Sequence, residues 1–381
     1  MRFAVDAHAI GCHLTGNEVY VRSLLEAFGA IHDSSEFVAY VATAEAERAI
    51  PRGFATRRVS RDPFVRLGID LPRQLRRDRP DLIHVQYTAP LACPAPVVVS
   101  VHDVSFLEQP GYFPAARALQ LRLTVARTVA RAARVITVSE FSRRAIARAY
   151  GLDEEEIAVV PNAAAGRFRP LPYPAATAWV WRRFEIAPPF VLNVGDLQIR
   201  KNQTGLIRAF AEMIRAFPQL PHRLVLAGKE GWHSGAVRRA AAESGVADRI
   251  HFTGFVSDED LLQLYNACEF FAFPSFYEGF GLPVIEAMAC ARPVACSHDS
   301  AVSEVADGAA ILFDPHSTVE MTRAMLDLAR DAELRARMGR LGLQRAAHFS
   351  WRRSAEKTLE VYRQVARAAA RPAVVRAARC A

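Results

Sequence analysis

The chain has 381 residues, 51% of them hydrophobic, which is enough apolar material for roughly two to three folded domains and excludes an intrinsically disordered protein. Its formal net charge of +8 is carried almost wholly by arginine, since lysine occurs only at positions 201, 229 and 357. A mild positive charge is compatible with anionic small molecules, an anionic membrane surface or nucleic acid. The six cysteines form no C-x-x-C pair and no zinc-ligand spacing with histidine, which indicates reduced thiols in a cytosolic protein.

The first residues, MRFAVDAHAIGC, place Arg2 and Asp6 within a short apolar stretch. This pattern predicts a first strand rather than a signal peptide. No run approaches the roughly 18–20 apolar residues that a membrane-spanning helix needs. We therefore expect a cytoplasmic protein that is soluble or peripheral to the membrane.

Short β-branched runs alternate with longer stretches of helical periodicity along the chain. The runs in the first half are RFAVDA, FVAYVA, DLIHVQ, PVVVSV, RVITVS and IAVVP. Those in the second half are FVLNVG, RLVLAG, RIHFTG, EFFAFP, PVACS and AAILFD. Strand–helix alternation of this kind predicts parallel sheets that are covered by helices on both faces.

A proline-rich stretch separates the two series of strands. Its prolines are Pro161, Pro170, Pro172, Pro174, Pro188 and Pro189. Proline density at such a place is typical of an inter-domain linker. The sequence therefore predicts an α/β protein with two Rossmann-like, doubly wound domains, residues 1–170 and 171–350, facing a cleft. We expect the last segment, residues 351–381, to be a helix that packs back on the first domain.

Polar and glycine-containing segments follow the carboxyl ends of the predicted strands, where ligands bind in open parallel sheets. They include the loop with Gly11 and Gly16, the pair His102-Asp103, the segment 139–142 with Ser139 as helix N-cap, the segment from Gly195 to Lys201, and residues 276–286. Two such edges facing each other would form an inter-domain ligand cleft.

The segment FYEGFGLPVIE, residues 276–286, predicts a tight turn that leads into a helix. Gly279 and Gly281 permit backbone conformations closed to other residues and allow a ligand to approach closely. Pro283 suits the first turn of a helix that we expect to run from about Leu282 to Cys290. Free N–H groups at the start of this helix favour an anion, and a diphosphate would fit.

Glu278 and Glu286 flank this turn and offer acceptors for the hydroxyls of a ribose or hexose. The segment therefore suits a nucleotide sugar. An ordinary turn with two solvated glutamates is an equally weighted alternative on spacing alone. A glycosidase carboxylate pair fits less well, because one glutamate lies on a loop and the other on a helix.

Arg200 and Lys201 precede a helix at the end of a strand, where they could stabilise a departing diphosphate. By itself, a dibasic pair is more often a solvated surface feature. His102 also follows a strand directly, and it is either a structural histidine or a hydrogen-bond donor to a sugar hydroxyl. Asp103 has an equally plausible turn or capping role.

A predicted helix from about Ala115 to Arg134 carries a row of arginines on one arc, opposite an arc with Leu121, Val125 and Val129. The arginines of this Arg117–Arg134 helix are Arg117, Arg127, Arg131 and Arg134, and Arg122 interrupts the apolar arc. The pattern is typical of a solvated cationic face. The alternative is peripheral contact with an anionic membrane surface.

The segment EGFGLPVIE resembles the E-x7-E motif of retaining glycosyltransferases of the two-domain GT-B fold, glycosyltransferase family 4. The resemblance extends in order over nearly the whole chain, through TGNEVYVRSLL, VVSVHDVSFLEQPGYFP, VITVSEFSRRAI, VVPN, NVGDLQIRKNQTGLIRAF, LVLAGKEGW, IHFTGFVSDEDLLQLYNAC and FPSFYEGFGLPVIEAMA. The most similar subgroup is that of bacterial mannosyltransferases of polysaccharide and O-antigen assembly.

This resemblance implies transfer of a hexose from GDP-mannose or a UDP-hexose to a lipid-linked or growing glycan, with no cofactor, no metal and no nucleic-acid partner. It implies front-face attack, in which the leaving diphosphate helps to deprotonate the acceptor. The resemblance implies that Glu278 contacts the transferred sugar and stabilises the transition state, that His102 binds the donor sugar and that Glu286 binds the donor ribose. It implies that Phe255–Val256 contact the nucleobase and that Gly16-Asn17 approach the phosphates. The residues implied to bind the diphosphate are Arg200, Lys201, Gly279 and the N–H groups of Phe280, Gly281 and Leu282.

Some positions depart from the family pattern. Asp196 stands where many relatives have an arginine, Ala291 stands where glycine is common, and PNAAAG lacks the usual glycine after the asparagine. We expect Arg200 to take over the role of the arginine that Asp196 replaces. No D-x-D metal-binding triplet is present, which agrees with a metal-independent reaction.

Two other classes of function remain compatible with the sequence. One is a different enzyme on the same fold, either a nucleotide-sugar epimerase or a glycan phosphorylase. The other is a non-catalytic subunit that binds a nucleotide sugar. The context of the E-x7-E motif favours transfer.

Overall fold

The structure is a computed structural model that describes residues 1–12, 15–31, 33–231 and 234–370, and these form two halves, each built on a parallel sheet. The first sheet contains β1 (Arg2–Asp6), β2 (Glu36–Val41), β3 (Ala55–Arg58), β4 (Leu82–Gln86), β5 (Val97–Ser100), β6 (Arg134–Thr137) and β7 (Ile157–Val159). The second sheet contains β8 (Phe190–Val194), β9 (Arg223–Ala227), β10 (Ile250–Gly254), β11 (Phe270–Phe273), β12 (Val294–Ser297) and β13 (Ile311–Phe313).

Both sheets are doubly wound. The strand order is β3-β2-β1-β4-β5-β6-β7 in the first sheet and β10-β9-β8-β11-β12-β13 in the second. The order therefore reverses between β1 and β4 and again between β8 and β11, and such switch points are where open α/β sheets bind ligands. The predicted class of two doubly wound parallel-sheet domains is confirmed. Strand β3 was not predicted, because its Ala-Thr-Arg-Arg sequence is a polar edge strand without a buried apolar run.

Helices cover both sheets. They are α1 (Thr15–Ala30), α2 (Ala44–Ala49), α3 (Pro63–Val65), α4 (Leu71–Asp78), α5 (Ser105–Glu108), α6 (Ala115–Val129), α7 (Glu140–Tyr150), α8 (Tyr173–Phe184), α9 (Gln203–Ala216), α10 (Ser234–Ala242), α11 (Asp258–Ala267), α12 (Leu282–Ala289), α13 (Ala301–Ala306), α14 (Thr318–Arg330), α15 (Ala332–Ala346) and α16 (Trp351–Ala370). No helix within these described ranges is long and apolar enough to cross a membrane.

Helix α6 is shorter than its sequence predicted. It ends at Val129, so Arg131 lies in the following turn and Arg134 begins strand β6. The chain leaves the helix because the N–H of Ala133 donates to Val97 O at 2.8 Å, which draws this segment into the sheet. The proposed row of four arginines on one helix is therefore wrong.

Helix α16 returns to the first half of the molecule. Tyr362 is fully buried there, with its ring 5.1 Å from that of Phe3 and its hydroxyl 2.5 Å from Nδ1 of His84 on β4. Near the start of the helix, Ser354 Oγ donates to Pro161 O at 2.5 Å. Residues 371–381 of the predicted terminal segment lie outside the described residues.

We expect Tyr362→Phe to lower the free energy of unfolding by about 1–3 kcal/mol, because it leaves a buried ring nitrogen of His84 without its partner. Urea unfolding monitored by circular dichroism measures this change. Arg352→Ala on the exposed side of the same helix removes only a surface pair with Glu356 and serves as the control. Equal effects of the two substitutions would contradict the packing described for α16.

Candidate functional site

Glu278 lies between two cations at the switch point of the second sheet. Its Oε1 is 2.6 Å from Lys201 Nζ, and its Oε2 is 2.9 Å from Arg200 Nη1. The cations follow β8 and the glutamate follows β11, and these strands are neighbours in the sheet. The Arg200 side chain also donates to Tyr277 O at 2.6 Å, and Arg200 O accepts from Phe276 N at 2.9 Å. The two loops are thus joined by main-chain and side-chain contacts.

Local backbone geometry explains why Lys201 reaches Glu278. Residues Ile199–Lys201 form one 3₁₀ turn, and Asn202 ends it in the left-handed conformation with φ of 52°. The Asn202 side chain then accepts from Gly205 N at 3.2 Å and donates to Pro315 O at 2.7 Å. Asn202 therefore caps α9 and holds the cationic turn against the neighbouring loop.

The charges at this site are largely buried. Glu278 is 8% exposed. Burial alone would raise the pKa of Glu278, but Arg200 and Lys201 lower it to about 2. Burial lowers the pKa of Lys201, against the opposing attraction of Glu278. Two cations thus contact one carboxylate directly, and Asp103 and Asp196 act on these cations as well.

The turn from Gly279 to Leu282 adds backbone donors beside these charges. Gly281 has φ of 98° and precedes α12, whose first turn contains Pro283. Within the described residues, the N–H groups of Phe280, Gly281 and Leu282 have no hydrogen-bond partner. Free N–H groups at a helix start attract anions.

Gly279 is the point at which this turn meets the first half of the chain. A Cβ atom placed on Gly279 would lie 2.2 Å from His102 O, so only glycine permits this approach. The carbonyl of Gly279 also accepts from Ser139 Oγ at 2.7 Å. Ser139 is the predicted N-cap of α7, and it caps the helix by accepting from Ser142 N at 3.1 Å. The edges of the two sheets therefore face each other and are in contact at the turn from Gly279 to Leu282.

His102 enters the site from the first half of the chain. Its Nε2 is 2.9 Å from Gln86 Oε1, and the amide nitrogen of Gln86 donates to Asn17 O at 3.2 Å. Gln86 thus accepts from His102 Nε2–H, which leaves Nδ1 as the acceptor of the ring. Burial lowers the pKa of His102 to about 4, so the ring is neutral near pH 7. Asp103, beside it, caps the next turn by accepting from Ser105 N at 2.9 Å.

Glu286 lies about one helical turn into α12, and the loop from Gly279 to Gly281 separates this helix from Glu278. It is 6% exposed, and Tyr265 OH donates to its Oε2 at 3.0 Å. Burial raises the pKa of Glu286 to about 8. Arg22 of α1 and Arg167 both pair with Asp258 nearby, so this end of the site is also lined from both halves.

The remaining predicted residues lie at the rim. Gly16 and Asn17 are in the first turn of α1, at the switch point of the first sheet, and Asn17 is joined to His102 through Gln86. Phe255, 59% exposed, and Val256 follow edge strand β10. They share the sheet edge with Glu278 without lying in the charged cluster.

Asp196, at the position where the resemblance predicted arginine, pairs with a lysine. Its Oδ2 is 3.9 Å from Lys229 Nζ, and burial raises the pKa of Asp196. Lys201 and Arg200 also act on its charge. Asp196 therefore belongs to the same charged region as Arg200 and Lys201.

One group of potential metal ligands is found in the part of the chain that the structure describes. It consists of Asp299, Asp314 and His316, whose ligand atoms lie within 4.8 Å of one another beyond the ends of β12 and β13. His316 is exposed, and its ring stacks on Phe276. Exposed acidic groups of this kind are common without an ion, so the cluster by itself does not define a metal site.

Sequence reasoning did not identify Gln86, Ser300 or Glu304, and it gave Ser142 no role beyond its place in the polar segment 139–142. Gln86 carried a usable signal, because it is the polar last residue of a buried strand at a switch point. Ser142 and Glu304 make contacts between the halves, and Ser300 Oγ accepts from Glu278 N within the second half. No local sequence pattern indicates such contacts.

Two family models match the chain: "Glycosyltransferase Family 4" over residues 14–164 and "Glycosyl transferases group 1" over residues 182–364. O-antigen chain mannosyltransferase B of Escherichia coli is 31% identical over 267 residues, which are 70% of each chain. Among solved structures, sucrose-phosphate synthase from Thermosynechococcus elongatus has a TM-score of 0.77 at 21% identity, over 96% of this chain and 99% of that one. Anabaena Alr3699/HepE, solved with UDP and glucose, has a TM-score of 0.74 at 20% identity, over 94% and 98%.

Two doubly wound domains whose edges meet at a cation-rich site have the GT-B architecture, and the structural likenesses confirm this fold. The chain belongs to glycosyltransferase family 4. The family expected from the E-x7-E segment is therefore confirmed.

We expect the stability of the protein to fall as pH rises because of Glu286. Its folded-state pKa is raised above the ordinary value of 4.5, so its favourable contribution is complete below about pH 4.5 and is lost as pH approaches about 8. Glu286→Gln is neutral at every pH and should gain melting temperature relative to the wild type across this window. Thermal unfolding at several pH values measures the difference.

The matched control for this experiment is Glu259→Gln, a solvent-exposed glutamate on α11. It removes one carboxylate at the surface instead of a buried one. A Glu286→Gln melting-temperature difference that does not change between about pH 4.5 and pH 8 would contradict the buried environment of Glu286.

Proposed function

We propose that this protein is a retaining hexosyltransferase that uses a nucleotide-diphosphate sugar and needs no metal ion. The observation that carries the proposal is the contact of Arg200 and Lys201 with Glu278, at 2.9 Å and 2.6 Å. A diphosphate beside this cluster would be attracted by Arg200 and Lys201 and would accept from the free N–H groups of the turn. In this proposal Arg200 and Lys201 neutralise the diphosphate, as a divalent ion does in metal-dependent enzymes.

In the proposed reaction, the bond between the anomeric carbon and the diphosphate oxygen breaks. The acceptor oxygen bonds to that carbon on the same face, and the acceptor proton passes to the departing diphosphate. The products are a glycoside and a nucleoside diphosphate. Glu278 suits a charge-stabilising role rather than proton transfer, because its pKa of about 2 keeps it ionised.

His102 would contact the donor sugar as a hydrogen-bond acceptor. We expected a donor from the sequence, but Nε2–H is engaged by Gln86, and the neutral ring offers Nδ1. A sugar hydroxyl would donate to that nitrogen. Gln86 and the ring of Tyr20, 4.6 Å from that of His102, hold the imidazole in place.

The remaining contacts follow the family pattern. Glu286 would bind the donor ribose, Phe255–Val256 the nucleobase and Gly16-Asn17 the phosphates. We propose GDP-mannose as the donor, because the relative from Escherichia coli is an O-antigen chain mannosyltransferase, and a UDP-hexose as the alternative, because the HepE structure holds UDP and glucose. The acceptor would be a lipid-linked or growing glycan of polysaccharide or O-antigen assembly, in the cytoplasm.

We expect Lys201→Ala and Glu278→Gln each to lower transfer about 10²–10³-fold, because each removes charge stabilisation that is needed as the diphosphate leaves. A thermal-shift screen over GDP, UDP and their sugars first identifies the donor. Release of nucleoside diphosphate in the presence of acceptor then measures turnover, and NMR of the product reports its anomeric configuration. Lys357→Ala, on the exposed side of α16, is the control.

Full activity of both site variants would overturn the site assignment. Turnover of the sugar nucleotide without acceptor would indicate an epimerase. Phosphate-dependent breakdown of a glycan would indicate a phosphorylase, and binding without turnover would indicate a non-catalytic subunit. A product with inverted anomeric configuration would exclude the retaining mechanism.

We also propose that the first half of the chain contacts an anionic membrane surface at the inner face of the membrane. The relevant surface differs from the predicted one, because the outer side of α6 presents Leu119 and Leu123, 57% and 62% exposed, beside Arg122. Leu91 extends this surface next to α6, because the carbonyl of Leu91 accepts from the Arg127 side chain at 2.5 Å. The N–H of Leu91 donates to Leu67 O. Exposed apolar side chains flanked by arginines suit the boundary between headgroups and acyl chains.

We expect the double substitution of Leu119→Ser and Leu123→Ser to weaken flotation of the protein with anionic vesicles, since it removes apolar surface without changing charge. The pair Leu341→Ser and Leu343→Ser on α15, 39% and 40% exposed in the wild type, is the matched control. Equal flotation of all three proteins, or equal binding to uncharged vesicles, would contradict the proposal.

A further inference from the structure

Four hydrogen bonds join the second half of the chain to the N-terminal end of α7 in the first half. The carboxylate of Glu304, on α13, accepts from the N–H groups of Glu140 and Phe141, each at 2.9 Å. The other two bonds run from Ser139 Oγ and Ser142 Oγ to Gly279 O, at 2.7 Å and 3.3 Å. We call the side chains of Glu304, Ser139 and Ser142, with these two N–H groups, the inter-domain clasp.

The clasp is connected to Glu278 through α13. Glu278 N donates to Ser300 Oγ at 3.0 Å, and Ala301 N donates to Glu278 O at 3.3 Å, so the start of α13 holds the Glu278 backbone. Arg345 of α15 donates to the carbonyls of Glu304 and Val305, both at 2.9 Å, and so holds the end of α13. Glu304 therefore reaches the first half from a helix fixed at both ends.

The clasp is connected to His102 through Ser142. The hydroxyl of Ser142 donates to His102 O at 2.9 Å as well as approaching Gly279 O. Ser139 and Ser142 are 1% and 0% exposed, so these hydroxyls are shielded from water. A closed ring of hydrogen bonds thus passes from Glu278 through α13 and α7 to the backbones of Gly279 and His102.

Helix α7 does not need Glu304 for its own capping, because Ser139 already accepts from Ser142 N. The Glu304 carboxylate instead receives the two N–H groups at the positive end of the helix, which is a favourable place for an anion. This interaction exists only while the two halves are in contact. When they separate, water must replace it on both sides.

We propose that Glu304 is a positioning residue for the transfer reaction, because the clasp sets the closed arrangement in which Glu278 and His102 face the same donor sugar. Glu304 acts through the ring of hydrogen bonds and touches no reacting atom. The expected effect of Glu304 on the rate of transfer rests on the proposed function. Its expected effect on the contact between the two halves does not.

The test compares Glu304→Ala with Asp331→Ala. Both remove a carboxylate that accepts from helix N–H groups, but Asp331 caps α15 within the second half, by accepting from Leu334 N at 2.8 Å. We expect Glu304→Ala to lower kcat for transfer at least about tenfold, because hydrogen bonds to a charged acceptor are lost. It should also speed amide exchange at Glu140 and Phe141 and increase the radius of gyration measured by X-ray scattering. Asp331→Ala should leave all three at wild-type values.

The conservative variant Glu304→Gln retains one acceptor oxygen, and it should fall between Glu304→Ala and the wild type in kcat and in exchange. It carries the test should Glu304→Ala fail to fold. Unchanged kcat with unchanged exchange in both Glu304 variants would overturn the proposal. Absence of transfer in the wild type itself would overturn the proposed function alone, because exchange and scattering would still report on the clasp.

Discussion

The site depends on a buried contact between one carboxylate and two cations. Glu278 has Arg200 and Lys201 in direct contact, and all three are largely buried. Burying ions is costly unless each finds a partner, and Asp103 and Asp196 add negative charge that acts on the same two cations. The two cations outweigh the effect of burial on Glu278 and hold its pKa below the ordinary value. The electrostatics of this end of the site follow from these contacts.

The fold makes this contact possible between residues that are 77 positions apart. Strands β8 and β11 are adjacent in the second sheet, with Val191 opposite Phe270, although strands β9 and β10 and three α-helices separate them in the chain. Their loops leave the sheet at the same edge and diverge to opposite faces, which opens a space above the sheet. The first sheet repeats the arrangement at β1 and β4, where Asn17 and Gln86 lie. The two switch points face each other, and His102 and Gly279 meet between them.

The alternation of strands and helices was sufficient to predict both sheets apart from β3, because buried strands carry continuous apolar runs. The strand-end rule placed His102 at the carboxyl edge of the first sheet and Lys201 and Glu278 at that of the second, since backbone topology determines where loops emerge. It could not give the tautomer of His102, which depends on Gln86, or the partners of Ser139 and Glu304, which lie across the interface. The end of α6 was also misjudged, because hydrogen bonding of Ala133 to β5 outweighs the helical periodicity of an arginine- and alanine-rich segment.

The return of α16 to the first sheet means that the chain passes between the halves twice. The two crossings lie side by side, because Ser354 at the start of the returning helix bonds to Pro161 at the end of the outgoing strand. Two adjacent chain connections restrict the relative movement of the halves more than a single linker would. We therefore expect the halves to open and close by a hinge movement at these connections, which brings the same two surfaces back together on closing.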